Sequence, residues 1–232
     1  MKKLLTLFLS LCFIGAFAAK PKNQYVKIAT DKGTVFIKLY NETPLHRDNF
    51  IKLAKEGLYN GTIFHRVIKE FMIQGGDPES KNAQPDAQLG NGGLKYTVKA
   101  EFNDNLFHKK GVLAAAREGD ASNPEKASSS TQFYIVQGKI WNDSTLNATE
   151  EKRLKFKIPE WQRQVYKTIG GTPHLDRNYT VYGEVVKGLE MVDSIANEPT
   201  GKANRPLTDV KMTVTVLKKR EVRKLERELR KK

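Results

Sequence analysis

The stretch Phe64–Asp77 reads FHRVIKEFMIQGGD and mixes residue types that a plain core strand does not need. The basic side chain of Arg66 stands within a few positions of the apolar Phe71 and Met72 and of the amide of Gln74. An isolated aromatic-methionine pair is most often part of a core. The nearby arginine and glutamine therefore make this stretch the first candidate for a functional site.

Short strand patterns surround this stretch and predict a mainly β protein. Residues 34–40 alternate apolar and polar side chains behind a turn at Asp31-Lys32-Gly33. Further strand candidates lie at 63–68, 112–116, 132–137, 179–185 and 209–217, with short pieces near Phe71 and Tyr96. Helical spacing occurs at 44–56 and 189–196. Because the strands do not alternate regularly with helices, the pattern predicts a closed eight-stranded antiparallel barrel capped by two helices.

The stretch FHRVIKEFMIQGGD closely resembles the signature of the cyclophilin-type peptidyl-prolyl cis-trans isomerases. The likeness extends to Thr43-Pro44 with Asn49-Phe50, to 113–117 with 130–135, and to 182–185, and it covers residues 24–217. That family's fold is an antiparallel barrel with a helix over each end, in agreement with the strand pattern. The resemblance implies a rotamase that accelerates rotation of X-Pro bonds and assists protein folding.

The resemblance also assigns roles to single residues. Arg66 matches the catalytic arginine, and Gln74 matches the residue that steadies it and contacts the substrate backbone. The other matching positions are expected to bind the substrate: Phe71, Met72, Tyr134 and Leu175 as walls of the proline pocket, Gln132 at the neighbouring subsite, Arg117 through its backbone, and His174 and Tyr179 at the rim. His65 is expected to be a packed structural histidine and not an acid or base.

An arginine at this position fits the chemistry independently. Rotation of a peptide bond loses amide resonance across a barrier of roughly 18–20 kcal/mol. In the twisted transition state the proline nitrogen becomes pyramidal and basic, so a hydrogen-bond donor aimed at it stabilises the transition state more than the ground state. A guanidinium is a permanent donor that needs no pKa tuning.

Three positions depart from the family pattern. Tyr134 stands where phenylalanine is usual, and its hydroxyl needs water or a partner. His174 stands where many members carry tryptophan, and Tyr179 where histidine is common. Since none of them removes Arg66, we expect activity with altered substrate and inhibitor preference.

Other classes of function find little support. The single cysteine, Cys12, excludes an internal disulfide framework, and the four histidines are widely scattered. The run Gly90-Asn91-Gly92-Gly93 lacks the last glycine of a dinucleotide-binding loop. We therefore expect no metal and no cofactor, and a monomer whose partners are proline-containing unfolded or folding polypeptides. The alternative is a chaperone module that binds proline segments without catalysis, against which the presence of Arg66 and Gln74 argues.

The N-terminal residues 1–18 have the pattern of a signal peptide. Lys2 and Lys3 precede an apolar run that ends at Ala16-Phe17-Ala18. The run is shorter than the roughly 20 residues of a membrane span. A lipoprotein site at Cys12 is the less favoured alternative because the bulky Leu11 precedes it. We expect an exported protein, most readily placed in a bacterial periplasm.

Two further segments lie outside the family pattern. An insertion at about 138–173 predicts a helical hairpin beside the active site, with helices at 150–156 and after Pro159, the second bearing Trp161, Val165 and Ile169 as an apolar stripe. It either selects substrates or stabilises the barrel. The basic tail 218–232 carries nine Lys or Arg against three Glu and holds much of the net charge of +14.

The tail is expected either to form a terminal helix or to stay frayed. It either makes a weak contact with anionic surfaces or only aids solubility. The rest of the chain is only mildly basic, so no nucleic-acid partner is expected. An adhesion protein built on the basic ends is a remoter alternative.

Overall fold

The computed structural model describes residues 22–231, so the expected signal peptide 1–18, with Cys12, lies outside the described residues. The described part contains the strands β1 (Gln24–Thr30), β2 (Gly33–Leu39), β3 (Arg66–Ile68), β4 (Met72–Gly75), β5 (Thr97–Val98), β6 (Val112–Ala115), β7 (Ser128–Ser129), β8 (Phe133–Val136), β9 (Val181–Lys187) and β10 (Thr213–Val216). Its α-helices are α1 (Pro44–Lys55), α2 (Asp143–Thr149), α3 (Glu160–Thr168), α4 (Glu190–Ala196) and α5 (Lys219–Leu229). None of the helices in this part is long and apolar enough to span a bilayer.

Eight strands form one curled sheet in the order β10-β1-β2-β9-β6-β8-β4-β3, and every pairing is antiparallel. The predicted eight-stranded antiparallel sheet is confirmed, but its closure into a barrel is wrong. The outer strands β3 and β10 have three and four residues and do not pair with each other. Instead the segments just before them meet, where Phe64 N donates to Val210 O at 3.1 Å and Met212 N to Thr62 O at 2.8 Å.

Alternation along the strands divides the apolar side chains between two faces of the sheet. Ile73 and Ile135 point into the main core, which the two predicted helices cover: Phe50 and Leu53 belong to α1, and α4 adds Val192. Their neighbours along the same strands, such as Met72, Tyr134 and Val136, belong to a second apolar cluster. The face away from the main core is therefore available to a binding groove.

The insertion is helical as predicted, and the helix expected after Pro159 is α3, but the first helix begins earlier than expected. α2 begins after Asn142, whose side chain accepts from Thr145 N at 2.9 Å. The expected helix at 150–156 is the continuation of α2 as a π-helical turn, Glu150–Leu154. Two of the apolar residues expected on this helix are exposed: Trp161 on α3 is 50% exposed, and Ile169, which follows the last residue of α3, is 51% exposed.

The buried face of α3 carries an arginine. Arg163 is 8% exposed and donates to Glu150 at 2.8 Å and to Asp143 at 2.8 Å. The carboxylates of Asp143 and Glu150 thus compensate the buried charge of Arg163.

The two ends of the insertion meet at glycines. Gly171 N donates to Lys139 O at 3.0 Å. A Cβ on Gly138, whose φ is 65°, would lie 2.4 Å from the Cα of Gly171. Only glycines allow the entering and leaving chains to approach this closely.

The basic tail forms a docked terminal helix, which is one of the two alternatives that the sequence left open. Leu225 of α5 is 4% exposed. Tyr25 of β1 donates to Glu226 at 3.2 Å, and Lys187 of β9 pairs with Glu228 at 2.7 Å. The helix therefore packs against two strands of the sheet.

Candidate active site

Three neighbouring strands place the expected catalytic residues side by side. Arg66 of β3 lies opposite Gln74 of β4, and Gln74 lies opposite Tyr134 of β8. Directly opposed residues of antiparallel strands point to the same face, here the one away from the main core. The strand register thus assembles the site.

A chain of hydrogen bonds holds the arginine. Arg66 Nη1 donates to Gln74 Oε1 at 3.2 Å, and Gln74 Nε2 donates to Gln132 Oε1 at 3.1 Å. Gln132 Nε2 in turn donates to the carbonyl oxygens of Gly90 and Gly92, at 2.9 and 2.7 Å. The guanidinium is therefore oriented by a series of amides that ends on the backbone.

Asp77, the last residue of the stretch FHRVIKEFMIQGGD, anchors the loop that receives this chain. Its buried carboxylate accepts from Gly90 N at 2.7 Å and Gly92 N at 3.3 Å. A Cβ on Gly92 would lie 2.0 Å from Asp77 Oδ1, so no larger residue fits. The glycine run thus forms the loop whose carbonyl groups hold Gln132 and, through Gln74, Arg66.

Arg66 is a half-buried cation without a counter-ion. Burial lowers the pKa of its guanidinium from the usual value, although the nearby Tyr179 opposes the shift. Within residues 22–231 it forms no ion pair, and its one hydrogen bond goes to Gln74. Since a guanidinium has five N–H donors and stays charged, the N–H groups of Arg66 that do not bind Gln74 are available to a ligand.

A cavity of about 1030 Å³ opens in front of Arg66. Eight of the ten expected site residues line it: Arg66, Phe71, Met72, Gln74, Arg117, Tyr134, Leu175 and Tyr179. Residues 85–90 and 201–209 form its other side, which the sequence did not indicate. The walls combine apolar surfaces with one cation, as a proline-binding groove requires.

The other two expected residues lie outside this cavity. Gln132 stands behind Gln74 and supports it. His174 stacks on Phe71, with ring centroids 5.4 Å apart and planes at 28°, and lines a second cavity of about 460 Å³. Phe71 therefore separates two cavities.

The side chain of Arg117 makes contacts within the protein, whereas its backbone groups make no backbone hydrogen bond among the described residues. Nε donates to Asn178 O at 2.7 Å, and the guanidinium lies 4.6 Å from the ring centre of Tyr179. Among the described residues its own N–H and C=O make no backbone hydrogen bond. The backbone at Arg117 can therefore pair with a bound peptide, as the resemblance implies.

The extra hydroxyl at Tyr134 has a buried partner, His108, which the sequence did not identify. Tyr134 OH lies 3.0 Å from His108 Nε2, and His108 Nδ1 lies 2.9 Å from Asp176 Oδ1. Because a carboxylate only accepts, Nδ1 donates to it, and Nε2 is the ring atom that pairs with the tyrosine hydroxyl. Burial raises the pKa of Tyr134 well above its usual value, so this hydroxyl keeps its proton.

The carboxylate of Asp176 also accepts a hydrogen bond from the insertion. Tyr166 of α3 donates to Asp176 Oδ2 at 2.6 Å, and both side chains are buried. A continuous series of hydrogen bonds thus joins the insertion to the wall of the larger cavity. The only local signal for it was the unusual tyrosine at 134.

His65 lies next to Arg66 and is 4% exposed. Neither ring nitrogen has a hydrogen-bond partner among the described residues, and burial lowers its pKa to about 4. The ring is therefore neutral near pH 7, as expected of a packed histidine. Residues 22–231 contain no group of three or more His, Cys, Asp or Glu side chains that could hold a metal ion.

Comparisons with known proteins agree with this geometry. The family model described as cyclophilin type peptidyl-prolyl cis-trans isomerase/CLD matches residues 25–216. A putative peptidyl-prolyl cis-trans isomerase of Staphylococcus aureus is 35% identical over 186 residues, which cover 80% of this chain and 87% of that protein. A putative bifunctional phosphatase/peptidyl-prolyl cis-trans isomerase of Streptococcus pyogenes is 36% identical over 188 residues, but the match spans only 37% of its length.

Solved structures share the fold. The crystal structure of a Cryptosporidium parvum cyclophilin type peptidyl-prolyl cis-trans isomerase aligns with a TM-score of 0.63 at 23% identity, and covers 85% of this chain and 99% of that one. A second structure of that protein, in the presence of the dipeptide Ala-Pro, aligns with a TM-score of 0.61 at 24% identity over 84% and 99% of the two chains.

Proposed function

The chain belongs to the cyclophilin-type peptidyl-prolyl cis-trans isomerases, and from that premise we propose that Arg66 lowers the barrier to X-Pro rotation in polypeptides bound in the larger cavity. The observation that carries this proposal is a half-buried guanidinium held by Gln74 with most of its donors free. A proline-containing peptide is the substrate class.

The apolar walls hold the proline ring. Phe71, Met72, Tyr134 and Leu175 surround a space suited to an aliphatic ring that has no donor of its own. With the ring fixed there and the neighbouring backbone paired at Arg117, the bond before the proline rotates while the rest of the peptide stays bound.

Arg66 acts when that bond is twisted. The planar amide nitrogen is a poor acceptor, whereas the pyramidal nitrogen of the transition state carries a localised lone pair. The guanidinium donates to that lone pair, and partial burial strengthens the bond relative to water. The interaction forms mainly in the transition state and so raises kcat.

Replacement of Arg66 tests the proposal. In a protease-coupled assay on a proline peptide, Arg66→Ala should lower kcat/KM by two or more orders of magnitude, which is about 3 kcal/mol of transition-state stabilisation. Arg66→Lys should rescue poorly because a compact ammonium lacks the planar fork with which the guanidinium reaches the proline nitrogen while Gln74 holds it. Arg220→Ala, on the exposed surface of α5, is the matched control.

Activity of folded Arg66→Ala within twofold of the wild type would remove Arg66 from the mechanism. A wild-type protein that binds proline peptides without accelerating their isomerisation would favour the chaperone alternative.

We further propose that the protein acts on exported polypeptides. The support is the pattern of residues 1–18, with two lysines before an apolar run and a small-x-small site at its end. Cell fractionation and N-terminal sequencing of the mature protein should give an envelope fraction and a chain that begins near Ala19. A cytosolic protein with an intact N-terminus would contradict export.

A further inference from the structure

The second cavity lies on the far side of Phe71 from Arg66. The strand turn after β3, the start of the insertion and the π-helical turn form its walls together with His174. Phe71 also lines the larger cavity. A peptide held by its proline in the larger cavity therefore has a second binding surface one side chain away.

Positive charge dominates this cavity. Lys69, Lys139 and Arg153 line it, against a single carboxylate, Glu70. Within residues 22–231 none of the three cations forms an ion pair, although many lysines and arginines elsewhere do. Burial and the neighbouring cations lower the pKa of His174 to about 4, so this ring adds no charge near pH 7.

One wall residue, Thr172, keeps its hydroxyl buried behind the cavity surface. Thr172 is 2% exposed, and its hydroxyl has no hydrogen-bond partner among the described residues. Trp141, by contrast, is fixed: its Nε1 donates to Gly171 O at 2.8 Å, and Lys139 Nζ lies 5.1 Å from the ring centre. A rigid aromatic wall and three cations without ion pairs among the described residues together suit an anionic ligand.

We propose that this cavity binds the side-chain carboxylate of an acidic residue that follows the substrate proline. The proposal rests on the function proposed above, in which the proline nitrogen faces Arg66. That nitrogen carries the preceding residue, so the earlier part of the peptide lies on the Arg66 side. The part after the proline then passes over Phe71 and His174 to the cations. The insertion, which supplies Trp141 and Arg153, thereby selects substrates.

Peptide binding tests this subsite without requiring turnover. Calorimetry compares proline peptides that carry Asp or Asn at the first or second position after the proline, with a further pair substituted before it. At low salt the wild type should bind the Asp peptide about 5- to 10-fold more tightly than its Asn partner at one position after the proline, since each partly exposed ion pair adds little. The preference should decline in high salt and be absent before the proline.

Charge reversal gives the matched comparison. Arg153→Glu or Lys139→Glu should abolish or invert the preference for Asp. Lys152→Glu alters the net charge equally at an exposed neighbour that does not line the cavity, and it should keep the preference.

Equal affinity for the Asp and Asn peptides at both positions, or an equal loss in Lys152→Glu, would overturn the subsite. Parallel kcat/KM measurements separate the two proposals. A preference for Asp without any isomerisation would contradict the proposed function alone, and isomerisation without a preference would contradict the subsite alone.

Discussion

Removal of the Tyr166 hydroxyl should lower the free energy of unfolding of the whole domain. In Tyr166→Phe, Asp176 Oδ2 loses the donor that lies 2.6 Å away and is its one side-chain partner among the described residues. Asp176 is 5% exposed, so little water can replace this donor. The other oxygen keeps its bonds to His108 N and Nδ1, at 2.8 and 2.9 Å.

The size of the effect follows from the charge and burial of the acceptor. A lost hydrogen bond to a buried charged group costs about 1.5–3 kcal/mol. For a domain of this size that corresponds to a fall in Tm of about 3–12 °C. We expect kcat/KM to fall by no more than about threefold, because His108 still binds the hydroxyl of Tyr134.

Urea unfolding and the peptide assay measure both quantities. Tyr96→Phe is the control, since Tyr96 is 42% exposed and, among residues 22–231, its hydroxyl bonds only to Asn49, at 2.7 Å. This variant should stay within about 0.5 kcal/mol of the wild type. Combining Tyr166→Phe with Tyr134→Phe should reveal a coupling free energy of about 0.5 kcal/mol or more. A Tyr166→Phe protein as stable as the control, or strictly additive effects, would refute the proposed connection.

Three more predictions concern pH, the tail and inhibition. The folded-state pKa of His65 is about 4 against an ordinary 6.5, so the unfolded chain binds more protons between these values and stability falls as pH falls from 6.5 to 4. Urea unfolding of His65→Leu at pH 7.5 and 4.5 should show about 2–3 kcal/mol less loss than the wild type, and equal losses would contradict a buried neutral ring. Leu225→Ala should undock α5 at a cost of about 2 kcal/mol and speed tryptic cleavage of the tail by about 10-fold or more, whereas unchanged cleavage would mean that the burial of Leu225 does not hold the helix. His174→Trp should tighten binding of a cyclosporin-type macrocycle by about 30- to 150-fold, and equally tight inhibition of the wild type would show that position 174 does not contact it.

The parts of the site that sequence could predict lie close together in the chain. Arg66, Phe71, Met72 and Gln74 belong to one β-hairpin, so their spacing alone places them on one surface. The alternation of the strands and the helices α1 and α4 could likewise be predicted, because both depend on local periodicity in the sequence. The failure of the sheet to close could not be predicted, since it depends on where the short strands β3 and β10 begin.

Long-range polar contacts escaped prediction for a different reason. His108, Tyr166 and Asp176 meet from three separate segments, and a lone histidine or aspartate gives no local sign of its partner. The insertion shows the same limit. Trp161 is exposed although it is apolar, whereas the buried face of α3 carries Arg163, which pairs with Glu150. This ion pair joins residues thirteen positions apart and forms only in the folded chain.

The glycine contact between Gly138 and Gly171 bears on how this protein could have evolved. Because residues 139–170 begin and end at one point of the structure, a change in their length or sequence requires no shift in the strands on either side. Closing a loop of this length adds only a small, slowly growing entropy cost. A lineage could therefore gain, lose or exchange the helical segment as a unit and vary its choice of client proteins while the older catalytic scaffold stayed unchanged.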